Sequence, residues 1–138
     1  MQLINKNIDY AVRALLYLAL QKERLVPSRE IAEKEGIPLQ FIRRILQALK
    51  KGGYIITKEG VQGGHRLQQA ADAISVRQVI ELFHGTFALS ECMFRKKLCP
   101  NRGKCVLRKR IKAIEKTVAD EFNGITIATL AADIGRAE

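Results

Sequence analysis

Three cysteines lie in one short basic stretch: Cys92, Cys99 and Cys105, with six residues between the first two and five between the last two. They are the only cysteines in the chain. An odd count cannot close into intramolecular disulfides alone. Pro100 and Gly103 break the stretch and free the backbone to curl around a small object. Ten lysines and arginines fall between Arg95 and Lys116, and neighbouring positive charge favours the thiolate, the form that binds metal or reacts with oxidants. The pattern therefore points to a three-thiolate metal or iron–sulfur site, or to a redox-sensing thiol. The bland alternative, three buried inert thiols, fits poorly with so charged a segment. Zinc prefers four tetrahedral ligands, so it would need a partner beyond three cysteines. An enzymatic thiol is disfavoured: there is no Cys-X-X-Cys pair, and no histidine close in sequence to activate a nucleophile.

The elements around this stretch suggest what it controls. The 138 residues carry a formal net charge of +10, a balance that favours a polyanionic partner, nucleic acid before membrane. The apolar run 14–20 is too short to span a bilayer. Asp9 and Arg13 interrupt any signal-peptide pattern. Free thiols without such a signal predict a cytoplasmic protein.

Apolar spacing predicts a helix over 7–23, capped by Asn7, with Ile8, Val12, Leu15, Leu16 and Ala19 on one face. After Pro27, Ser28 opens a short helix to Glu35, which Gly36-Ile37-Pro38 ends. A third helix, 39–51, turns Phe41, Ile42, Ile45, Leu46 and Leu49 inward and Gln40, Arg43, Arg44 and Gln47 outward, and Gly52-Gly53 stops it. Two short helices joined by a glycine-containing turn form a helix-turn-helix, whose second member enters a major groove. Tyr54–Lys58 reads as a strand, and the chain turns at Gly63-Gly64 and returns through His65-Arg66-Leu67, which makes a wing. Ser75 caps a helix over 76–83, and Thr126 caps a last one through Ile134.

Between them, 106–122 forms a long helix with Leu107, Ile111, Ile114, Val118 and Phe122 spaced by four and three, close to a coiled-coil seam. That seam predicts a two-fold homodimer holding two DNA-reading heads on a double-stranded operator. The fold expected is thus mostly α with a small β wing: a winged helix-turn-helix region over 1–75, then the cysteine stretch and dimerisation helix over 76–138. The DNA contacts expected are Ser28, Arg29, Gln40, Arg43, Arg44, Gln47, Lys58, Gly63, Gly64, His65 and Arg66. Arginine forks suit guanine edges or phosphates. His65 is expected to stack or to touch a phosphate, and His84 to sit at a helix C-terminus as a dipole partner.

An ordered set of motifs spans the chain: Asp9-Tyr10-Ala11-Val12-Arg13-Ala14-Leu15, Arg29-Glu30-Ile31-Ala32, Gly63-Gly64-His65-Arg66-Leu67, Ile74-Ser75-Val76, and three cysteines before a long helix. In this the chain resembles the bacterial iron–sulfur winged-helix transcription regulators that include IscR, NsrR and RirA. The resemblance implies a homodimeric DNA-binding regulator, not an enzyme. It also implies a two-iron or four-iron cluster near the dimer interface, held by Cys92, Cys99 and Cys105. The IscR-like histidine three residues beyond the last cysteine is replaced by Arg108. The NsrR-like aspartate in the first helix matches Asp9, so the resemblance makes Asp9 the fourth metal ligand expected.

Overall fold

The computed structural model describes residues 3–89 and 104–137; Cys92 and Cys99 lie outside them. Among the described residues, six α-helices and a two-stranded antiparallel sheet follow in order: α1 Lys6–Leu20, α2 Ser28–Glu35, α3 Leu39–Lys51, β1 Ile55–Lys58, β2 Gly64–Leu67, a 3-10 turn Ala71–Ala73, α4 Val76–His84, α5 Val106–Gly124 and α6 Ile127–Ala137. This is the mostly α winged helix-turn-helix expected. The sheet pairs Ile55 with Leu67 and Lys58 with Gly64.

Helix α1 is the axis of the core. Asn5, not Asn7, is its cap and accepts the Ile8 amide at 3.1 Å, and the helix ends at Leu20 rather than at residue 23. An N-cap must accept from an amide two or three residues on. With the helix beginning at Lys6, only Asn5 stands in that place. The helix buries Ile8, Ala11, Ala14, Leu15 and Leu18 and lays Val12, Leu16 and Ala19 against the same core. One face was expected to be apolar. Neighbours surround this helix on several sides, so it buries more than one stripe.

The turn between α2 and α3 closes on Gly36 in the left-handed region (φ +64°), which glycine enters without a Cβ clash. Ile42, Ile45, Leu46 and Leu49 of α3 are buried, as their spacing requires. Phe41 is only half-buried: it packs at the rim, its ring centroid 6.3 Å from Tyr10. Ser75 makes a full capping box with Gln78 at the start of α4. Thr126 Oγ1 accepts the Thr129 amide at 3.1 Å, capping α6.

One apolar cluster runs from Ile8 through Ile55 and Val79 to Ala119 and Ile127, so the segments 1–75 and 76–137 share a core. Their backbones also join: the Ile127 amide donates to the Ile74 carbonyl at 2.9 Å, and Ser75 and Thr126 form an antiparallel bridge.

The stripe expected on α5 splits in two. Val118 and Phe122 face the core, where the Phe122 ring lies 6.1 Å from Phe87, and Ser75 Oγ donates to Asn123 Oδ1 at 3.2 Å. Leu107 and Ile114 point outward, 63% and 56% exposed, beside an exposed Val106. The reason is geometric. At 3.6 residues per turn positions 107, 111, 114, 118 and 122 stay on one side of the helix, so the split runs along its axis: the C-terminal half lies on the core and the N-terminal half runs past it.

Candidate nucleic-acid interface and cysteine site

The recognition helix α3 presents Gln40, Arg43, Arg44 and Gln47 on its exposed side, opposite the buried Ile42, Ile45 and Leu49. Arg44 lies over the Phe41 ring, 5.1 Å from its centroid. That cation–π contact gives the Arg44 guanidinium a partner on its own helix. Arg43 is exposed and carries no such contact among the described residues.

At the start of α2 the N-cap is Pro27, which offers no side-chain acceptor. Ser28 is the first helical residue, and its hydroxyl serves the wing instead: Ser28 Oγ is 2.9 Å from His65 Nε2. His65 Nδ1 is 2.9 Å from Thr57 Oγ1 across the sheet. The imidazole therefore spends both nitrogens inside the chain, which differs from the stacking or phosphate role its sequence position suggested. Burial first, and Lys50 second, hold its pKa below the usual 6.5.

Gly63 and Gly64 relieve crowding from the chain's own backbone. A Cβ on Gly64 would sit 2.7 Å from the Val26 carbonyl carbon, and one on Gly63 would collide with the Lys58 carbonyl. Gly64 also has φ +155°. Only bare backbone lets β2 press against the segment that leads into α2, and it does so with amide–carbonyl bonds in both directions between Val26 and His65, each 2.9 Å. Arg66 pairs with Glu23 at 3.0 Å. Lys58 and Arg29 are exposed.

A second set of contacts fixes α2 on α1 and was not anticipated. Tyr17 Oη donates to Glu30 Oε2 at 2.6 Å, and Arg24 donates to both Glu30 oxygens at 3.1 and 2.5 Å. The Arg24 and Tyr17 hydrogen bonds draw the Glu30 pKa down to about 2. At the other end of α2, Arg13 donates to the Glu35 carbonyl and lies 3.6 Å from the Glu35 carboxylate. The motifs Asp9…Arg13 and Arg29-Glu30-Ile31 carried these partners in plain view, but nothing in their spacing says which helix faces which.

Asp9 is exposed on α1 and pairs with Arg13 at 3.6 Å. Cys105 is the N-cap of α5, and its sulfur accepts the Arg108 amide at 3.3 Å. Among the described residues no three histidine, cysteine, aspartate or glutamate side chains converge to hold a metal. Glu115, ten residues further along α5, is buried. Its carboxylate accepts the Leu89 amide at 3.0 Å and pairs with Lys112 at 3.3 Å. Both ends of the cysteine stretch are thus tied to α5, at Leu89 and at Cys105. His84 is exposed at the C-terminal end of α4. No helix among the described residues is long and apolar enough to cross a membrane.

A recognition helix with an outward basic face, followed by a wing docked on the helix before it, defines a winged-helix DNA-binding transcription regulator. The family described as "Rrf2: Iron-dependent Transcriptional regulator" matches residues 4–133, and the chain belongs to it. It is a transcriptional regulator, not an enzyme. The chain is 30% identical over 130 residues to a putative HTH-type transcriptional regulator of Aquifex aeolicus, covering 93% of this chain and 90% of that protein. It is 33% identical over 131 residues to the HTH-type transcriptional regulator IscR of Erwinia tasmaniensis, covering 94% and 78%. The solved structure of CymR, the global cysteine regulator of Bacillus subtilis, superposes with a TM-score of 0.79 at 20% identity, covering 96% of this chain and 98% of that one.

Proposed function

We propose that the protein is a homodimeric regulator whose affinity for a double-stranded operator is set by an iron–sulfur cluster. Cys92, Cys99 and Cys105 would hold the cluster, with Asp9 of the partner subunit as the fourth ligand. Residues 1–75 read the DNA, and 76–138 carry the cluster stretch and the dimer contact.

The observation that carries this reading is the position of Cys105. Its sulfur caps α5, taking the Arg108 backbone amide at the first turn of that helix. Such a sulfur suits an iron–sulfur cluster, which is held by cysteine thiolates. When bound, the cluster supplies a ligand set that oxidants, nitric oxide or iron shortage can dismantle. The chain's own residues do the rest. Cys105 starts the helix that carries Leu107 and Ile114, so a change at the sulfur acts at the base of the dimer contact. Glu115 fixes where the chain leaves α4 for the cysteine stretch. Asp9 lies one turn from Arg13, which grips the end of α2, so a ligand role for Asp9 would reach the helix-turn-helix directly. On the DNA side Arg43 offers the free guanidinium for base edges. Lys58, Arg29, Gln40 and Gln47 flank it.

Anaerobic purification followed by iron, sulfide and zinc analysis tests the proposal. The expected result is a brown protein with iron and acid-labile sulfide near one cluster per subunit, with the colour lost in Cys99→Ser. Zinc alone after reconstitution would overturn it in favour of a zinc-bound regulator, and a metal-free protein in favour of direct thiol oxidation.

A further inference from the structure

His65 joins the wing to the head through both its main chain and its side chain. The main chain of His65 bonds in both directions with Val26, and its ring spans Ser28 at the start of α2 and Thr57 in β1. An imidazole is suited to this span because its two nitrogens point to opposite sides of the ring. In the neutral form one nitrogen donates and the other accepts, and a hydroxyl can complement either; in the cation both donate and both hydroxyls accept. The span therefore survives protonation, and only the charge changes.

The groups that face the ring are the Ser28 hydroxyl from α2, the Thr57 hydroxyl from β1, the Val26 backbone from the preceding connection, and Lys50 from α3. Burial and Lys50 both oppose a charge on the free protein. Duplex phosphates brought to this face reverse that balance, since a nearby negative charge favours the cation.

We propose that His65 is a positioning residue that clamps the wing to α2 and takes up one proton when the operator binds. The proton comes from solvent and goes to the ring nitrogen that accepts from its hydroxyl in the neutral form. That hydroxyl then turns a lone pair toward the new N–H. The inference rests on the DNA-binding class of the protein and is independent of the cluster.

The test uses the full chain and a duplex selected from a random library by the wild-type protein, with affinity measured from pH 8 to pH 5.5. Wild-type affinity should rise as pH falls, by at most about tenfold per pH unit for each head, the limit for one linked proton. His65→Phe should flatten that rise relative to wild type and weaken binding about fivefold, the scale of one lost hydrogen bond. Ser28→Ala should weaken binding by a similar factor but keep the slope. The double variant should be no weaker than His65→Phe, because the two residues act through one contact. Should His65→Phe fail to fold by circular dichroism, Ser28→Ala with Thr57→Val probes the same clamp with the ring intact: weaker binding with the slope kept supports the inference, and unchanged binding overturns it. Equal pH profiles for wild type and His65→Phe, or additive losses in the double variant, would also overturn it. A protein that selects no duplex at all would overturn the DNA-binding reading as well, so the two failures are distinct.

Discussion

The winged head and the outer half of α5 treat their surfaces in opposite ways. In the head, side chains find partners within the chain: Glu30 holds Tyr17 and Arg24, His65 holds Ser28 and Thr57, Arg66 holds Glu23. On the outer half of α5, Val106, Leu107 and Ile114 stand in solvent. Monomeric proteins seldom leave a contiguous apolar strip open. The contacts named in the head close on one another within the chain, whereas the outer half of α5 is the surface on which the proposed dimer rests.

The largest effect should come from breaking that surface. Leu107→Glu with Ile114→Glu is expected to convert a dimer to a monomer by light scattering. Both sites are exposed within the subunit, so its melting temperature should change little. Loss of the second head should cost about 10²–10⁴-fold in affinity for a two-half-site operator. A dimer that survives both charges would place the contact elsewhere.

At the junction of the two regions sits Glu115, a buried carboxylate answering the Leu89 amide. Glu115→Ala leaves that amide unpaired and should destabilise the protein by about 1–3 kcal/mol in denaturant unfolding, while Glu115→Gln keeps an acceptor and should cost clearly less. Equal losses would mean that the charge opposite Lys112, rather than the amide bond, matters most.

The smallest effect sharpens the comparison from the side of the head. The folded pKa of Glu30 is drawn from 4.5 to about 2. A depressed carboxyl contributes stability that is full above the unfolded pKa and is lost as pH falls through the folded one, here between about 4.5 and about 2. Glu30 is partly open to solvent, so screening keeps its contribution small. Glu30→Gln should lower the melting temperature slightly at pH 6 and bring it level with wild type near pH 2. A gap that persists at pH 2 would assign the loss to packing instead.

Much of this molecule is legible before any coordinates. The periods of 3.6 and 2, the glycines at 36 and 52–53, and the caps at Ser75 and Thr126 mark the helices, the wing and their ends within a few residues. Caps are less legible when two candidates lie close together, as with Asn5 and Asn7, because the first helical residue is set by packing as well as by chemistry. The outward face of Arg43 and Arg44 is legible in the same direct way.

Sequence by itself determined the order of elements, the basic recognition face and the presence of three thiols before a long helix, since these follow from local spacing and residue type. Tertiary structure alone decided the rest. It gave the stretch from Val106 to Phe122 two fates, one half buried on α4 and one half open. It engaged both His65 nitrogens with Ser28 and Thr57, and it set the Val26 backbone against Gly64. Most of these depend on atoms that approach from far along the chain, as Ser28 does on His65 from 37 positions away, and such approaches are fixed by how the whole core packs.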